Sequence, residues 1–133
     1  GHTMLPDYVV HRVDDLEIDA HVSFGRYYLG GGEAVHGGAI PLVFDELFGT
    51  LVNFGARPPS RTVHLEVDFR ALTPLDTQLT VIARIERVEG RKTYVSGRLL
   101  HGELLCAQAE ALFLALDLRG GAPSPAGLPG NQV

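Results

Sequence analysis

Between Gly37 and Gly55 the only charged side chains are Asp45 and Glu46, adjacent in an otherwise apolar stretch whose entrance reads His36-Gly37-Gly38. An ionised carboxylate among apolar neighbours is costly unless it is paired or hydrogen-bonded. Burial would push its pKa up, and a charge partner or hydrogen-bond donors would oppose that. Carboxylates in such settings are candidates for a functional site. Two glycines at a helix start leave backbone N–H groups at the positive end of the helix dipole, which suits a developing oxyanion. Each feature also has a plain reading: both acids face a wet edge of the helix, and the glycines only mark its beginning.

The stretch itself reads as a helix from Gly37 to Phe54. Ile40, Leu42, Val43, Phe44, Leu47, Phe48, Leu51, Val52 and Phe54 cover nearly every direction of a helical wheel, and Pro41 is tolerated in the first turn. Gly55 stops it, and Arg57-Pro58-Pro59-Ser60 does not continue it. A helix apolar all round needs a sheet to wrap it.

The rest of the chain supplies strands. Leu16, Ile18, Ala20, Val22 and Phe24 alternate with polar residues, the period of a strand with one buried face. Tyr27-Tyr28-Leu29 reads as a short return strand after a turn at Gly25-Arg26, and Gly30-Gly31-Gly32 as a break. After the helix, Val63, Leu65, Val67, Phe69 and Ala71 alternate with polar residues, as do Leu79, Val81, Ala83 and Ile85. Turns at Glu89-Gly90-Arg91-Lys92 and His101-Gly102-Glu103 lead into strands over 93–100 and 104–116. The last of these is rich in helix formers and is assigned as a strand against its propensity, because a meander is already in place for it to join. The expected class is α+β, a curved antiparallel sheet around one central helix. Its uncovered edge favours a second copy, at least a homodimer, with pairing into tetramers left open.

At 133 residues the chain fits one domain, expected over residues 1–118, with a Gly/Pro-rich flexible tail over 119–133. Eleven basic against sixteen acidic residues give a net charge of −5, which argues against nucleic acid or an anionic membrane as the main partner. The one cysteine, Cys106, lies in an apolar run, no stretch is long enough for membrane insertion, and the start lacks a basic region followed by an apolar one. A cytoplasmic location is the simplest expectation. Gly1-His2 reads as a tag remnant, so His2 enters no metal argument. The other histidines show no zinc-ligand spacing, and no Gly-x-Ser-x-Gly elbow occurs, so neither a metal nor a serine triad is expected.

From about Leu16 to Leu116 the sequence resembles the hotdog-fold acyl-CoA thioesterases, whose signature is His-Gly-Gly with an acidic residue nine positions after the His. His36-Gly37-Gly38 and Asp45 have that spacing. The resemblance is closest to the small phenylacetate-pathway type and the related thioesterase-superfamily proteins. It implies a hotdog fold, an acyl-CoA substrate, no cofactor beyond the coenzyme A carried by that substrate, and subunits paired edge to edge with active sites at the dimer interface.

Carried over by position, Asp45 would be the nucleophile or the base for the attacking water. Gly37 would give the N–H that polarises the thioester carbonyl, and Gly38 would permit close approach of the acyl group. His36 would orient the thioester and loop, or simply cap the helix. Thr62 falls where relatives place a Ser or Thr that reaches the partner subunit's site and holds the water, and read alone it is an ordinary strand residue. Arg91 and Lys92 match a basic loop that meets the coenzyme A phosphates, or are merely solvated. The chain departs from the pattern at Gly30, where relatives often carry an Asn or Gln.

The implied reaction is hydrolysis of an acyl-CoA to a carboxylic acid and coenzyme A. The main rival is an acyl-CoA binding protein that has kept the pocket and lost turnover. A hydratase is disfavoured, because no Asp-x-Asn-x-x-His string occurs. Phe44, Leu47, Phe48 and Phe54 serve either as core or as the acyl pocket, which leaves the acyl chain open.

Overall fold

The computed structural model describes residues 5–30, 34–35 and 37–116. Six strands form one sheet: β1 (Asp7–Val13), β2 (Glu17–Ser23), β3 (Ser60–Phe69), β4 (Leu79–Glu89), β5 (Lys92–His101) and β6 (Leu104–Ala115). Their order is β1-β2-β4-β5-β6-β3, and every pairing is antiparallel. One α-helix is present among the described residues, α1 (Ala39–Val52), and it packs against β2, β3, β4, β5 and β6. This is the helix-in-sheet arrangement expected from the sequence. The β4-β5-β6 meander forms its centre, the β1-β2 hairpin extends one side, and β3 crosses to the other side to become an edge.

Alternation explains the core. Ile18, Ala20 and Val22 from β2, Leu79, Val81 and Ala83 from β4, and Val95 and Leu99 from β5 all point at α1, which answers with Phe44, Leu47, Phe48 and Leu51. Phe44, Leu47 and Phe48 are fully buried core residues within the chain. At Gly97 in β5 the strand lies close against the helix, and a Cβ there would stand 2.6 Å from the ring of Phe48. Small residues recur next door, at Ala107, Ala109 and Ala111 of β6. Their helix-forming tendency is overridden because both flanking strands take up the backbone hydrogen bonds of β6.

The structure corrects four local expectations. Tyr27-Tyr28-Leu29 is not a strand. Arg26–Tyr28 is a short 3-10 turn, closed by Tyr28 N–H to Gly25 C=O (3.0 Å) and Leu29 N–H to Arg26 C=O (3.1 Å), and Leu29 makes only an isolated bridge to Val35. Leu16 lies outside β2 and is 56% exposed, because the Asp14 carboxylate accepts the N–H groups of Leu16 and Glu17 and closes a turn there. β3 ends at Phe69, since the N–H groups of both Arg70 and Ala71 go to Cys106 C=O. β1 had no counterpart in the sequence reading, because a bulge between Val10 and Arg12 breaks its alternation. The tail expected over 119–133 lies outside the described residues. Among the described residues no helix is long and apolar enough to cross a membrane.

Candidate functional site

Although α1 is apolar on most sides, it is not wrapped completely. Leu42, Asp45 and Asn53 are exposed, and Glu46, Gly49 and Thr50 half-buried, along one stripe of the helix. The two acids therefore sit on the wet edge of the helix, the plainer of the two sequence readings. Each is held by a hydroxyl from a different edge of the sheet.

On one side, Thr62 Oγ1 donates to Asp45 Oδ1 at 2.6 Å. Strict alternation along β3 would put Thr62 opposite Leu65 and Val67, facing away from the helix. The β3–β6 register shifts between Thr62 and His64, so Val63 is an extra, bulged residue. Thr62 then pairs with the buried Phe113 and shares the inner face with Leu65 and Val67, while Val63 turns outward at 44% exposure. The start of the same strand is stitched to the helix end: Ser60 N–H donates to Asn53 Oδ1 (2.7 Å), and Asn53 Nδ2 donates to Gly49 C=O (2.9 Å). Arg57 Nη1 caps the last turn through Leu51 C=O (3.0 Å).

On the other side, the Tyr8 hydroxyl donates to Glu46 Oε2 at 2.8 Å. The hydrogen bond to Glu46, then burial, then the negative charge of Glu46 hold the Tyr8 phenol above its ordinary value of 10.0. Sequence reading missed this partner along with the whole of β1.

The helix begins at a turn over Gly37 and Gly38. Gly38 is the N-cap and offers no side-chain acceptor, and the first turn carries no acidic residue. A side chain built at Gly37 would meet none of the described residues beyond its chain neighbours within 4 Å, so the turn is open toward them. His36 lies outside the described residues. Gly30 is described, and its N–H donates to Ala34 C=O at 2.7 Å.

Arg91 and Lys92 sit at the far end of the sheet from this turn, the end where Asn53 and Ser60 meet. Arg91 Nε donates to Ala115 C=O (2.9 Å), and Ala115 N–H to Arg91 C=O (2.8 Å), so Arg91 also has a structural task. Lys92 faces Leu114, which in turn faces Arg61, one residue before Thr62. That third cation was not singled out from sequence. The structure thus joins Asp45 to Thr62, and sets Gly37-Gly38 and Arg91-Lys92 at opposite ends of the helix. Cys106 is buried, and among the described residues no three His, Cys, Asp or Glu side chains gather in a way that could hold a metal ion.

Residues 32–108 match the family model described as Thioesterase superfamily. The mouse acyl-coenzyme A thioesterase THEM4 is 33% identical over 96 residues, covering 70% of this chain and 40% of that protein. The chain spans less than half the length of the mouse and bovine THEM4 proteins. Among solved structures, AziG of S. sahachiroi superposes with a TM-score of 0.78 at 21% identity, over 84% of this chain and 92% of that one. A hypothetical thioesterase protein from Streptococcus pneumoniae TIGR4, solved with coenzyme A, gives 0.76 at 14% identity, over 82% and 88%. At these identities the structural likeness speaks for the fold.

Proposed function

The chain belongs to the thioesterase superfamily, and from that premise we propose that it hydrolyses the thioester of an acyl-coenzyme A, releasing a carboxylic acid and coenzyme A. The observation that carries the reading is the 2.6 Å bond between Thr62 and Asp45, made by a strand bulge that otherwise costs a ladder position. An exposed carboxylate held by a neighbouring hydroxyl can take a proton from water, or attack a carbonyl itself, while the hydroxyl fixes its direction. Relatives named as acyl-coenzyme A thioesterases, and a neighbour solved with coenzyme A, support the substrate class.

In this reading Gly37 contributes the backbone N–H for the developing oxyanion at the positive end of α1, and Gly38 keeps the approach clear. The open space around Gly37 is what an incoming thioester needs. His36 orients the loop and the thioester. Arg91 and Lys92 gather the phosphates of coenzyme A. The coenzyme A moiety belongs to the substrate, and no step is routed through a metal or another cofactor.

Spacing along α1 supports a site shared between subunits. Gly37 and Asp45 are eight residues apart, about 12 Å along the helix axis. One thioester carbonyl needs its oxyanion donor and its attacking group each within about 3 Å of the reacting atoms. Two copies packed with antiparallel α1 stripes, edge β3 beside edge β3, bring Gly37 of one to Asp45 and Thr62 of the other. The homodimer is therefore the catalytic unit we propose, acting in the cytoplasm.

The test is thiol release from short, medium, long and aromatic acyl-CoA esters, with wild type and Asp45→Asn side by side and the dimer checked by sizing. Turnover by the wild type and its loss in the variant are expected. A wild type that binds the esters without releasing thiol replaces the hydrolase by a binding protein. Equal turnover in both proteins removes Asp45 from the site.

A further inference from the structure

On the face of the sheet turned away from α1, two imidazoles meet across the β1–β2 hairpin. His11 Nε2 and His21 Nδ1 stand 2.6 Å apart, with ring centroids 4.1 Å apart and planes at 72°. In β2 the buried Ile18, Ala20 and Val22 alternate with Asp19 and His21, so His21 faces outward. The bulge between Val10 and Arg12 makes His11 the extra residue of β1 and turns it onto that same outer face. His11 is exposed and His21 half-buried.

The surroundings leave the ring nitrogens to each other. Across β4, His21 faces Thr80. Arg12, the cation nearest in sequence, is engaged by Asp14 (2.7 Å) and Glu17 (2.9 Å). Asp19 precedes His21 by two residues on the same face. A neutral pair can share one proton in this geometry, and two lone pairs aimed at one point can equally share a cation.

We propose that His11 and His21 form a surface site for a first-row divalent ion of the zinc, nickel or copper class, bound through His11 Nε2 and His21 Nδ1. Imidazole nitrogen suits these ions. Two metal–nitrogen bonds of about 2.0–2.1 Å at tetrahedral to right angles hold the nitrogens about 2.9–3.4 Å apart. The pair has to open by less than about 1 Å, which a rotation of the exposed His11 side chain supplies. Among the described residues no third His, Cys, Asp or Glu completes a cluster, so water fills the other positions and binding is weaker than in a closed four-ligand site. The ion would tie β1, which among the described residues is an edge strand paired with β2 alone, to that neighbour. The site is independent of the thioester chemistry.

The experiment is calorimetric titration of the full chain with zinc chloride in chelator-treated, non-coordinating buffer at pH 7.5, alongside thermal unfolding with and without zinc. His2→Ala is the background throughout, so the amino-terminal Gly1-His2 contributes nothing. One ion per chain and a zinc-dependent rise in Tm are expected. His11→Ala and His21→Ala should each weaken binding by at least about tenfold and abolish the rise in Tm, with an unchanged far-UV spectrum. Long-range proton–nitrogen spectra should show zinc shifting His11 Nε2 and His21 Nδ1. Undiminished zinc affinity in His21→Ala, or no heat and no Tm change at millimolar zinc, overturns the proposal.

Discussion

Asp45 and Glu46 are neighbours on one helix, carry the same charge and each accept a hydroxyl hydrogen bond, yet they are built into different surroundings. Asp45 is exposed beside the edge strand β3, on a short side chain whose direction is fixed by Thr62 at 2.6 Å. Glu46 is half-buried on the side of β1 and is covered by the Tyr8 phenol at 2.8 Å. A Thr hydroxyl is small and leaves room for a water molecule or a substrate. A Tyr ring fills the space in front of the carboxylate it holds. Position on the helix stripe, rather than residue type, separates a carboxylate left open to solvent from one that ties strand to helix.

That contrast can be broken in a definite order. Asp45→Asn keeps shape and hydrogen bonding but removes the base, and should lower kcat for acyl-CoA hydrolysis by about a hundredfold or more with Tm nearly unchanged. Thr62→Ala should cost about tenfold in kcat through loss of orientation, with Thr62→Ser restoring most of it; a loss seen only in stability would make Thr62 a structural residue. Glu46→Gln should leave kcat within about twofold, since it changes charge away from the reacting atoms. An Asp45-sized loss there would reverse the assignment.

The smallest effect belongs to Tyr8. Its phenol pKa is raised in the folded state, by the bond to Glu46 first and by burial next. The stabilisation is therefore fully present below the unfolded value near 10 and is lost as pH rises through the higher folded value. Thermal unfolding followed from pH 8 to 11 should show an alkaline fall in Tm that is shallower in Tyr8→Phe. Identical slopes would separate Tyr8 from the Glu46 interaction.

Much of this arrangement was legible in the sequence, and the gaps share a cause. The helix was readable because Ile40 to Phe54 is apolar on most sides, and Asp45 because it interrupts that pattern. Even β6 was readable against the helix propensity of Ala107, Ala109 and Ala111, from the meander it had to complete. What period-2 reading could not give was direction wherever a strand carries an extra residue. The bulge at His11 hid β1, and with it Tyr8 and the partner of Glu46. The bulge at Val63 means that simple alternation assigns Thr62 to the wrong face. The 3-10 turn at Arg26–Tyr28 was missed for a related reason: apolar residues side by side fit a strand, but here local i to i+3 hydrogen bonds take up the backbone groups.

The Val63 bulge has a consequence for how this region tolerates change. Pairing in a sheet has a parity, so removing or adding one residue moves every later side chain to the opposite face. Deleting Val63 would instead remove the one residue that the bulge absorbs: Thr62 would fall two positions before Leu65, and plain alternation would keep its hydroxyl on the inner face, opposite Phe113. Substituting Val63 by another β-branched residue would do almost nothing. At this position the strand is forgiving in length as well as in identity: a single-codon deletion exchanges the bulge for a regular ladder and leaves the Thr62 hydroxyl on the side of Asp45.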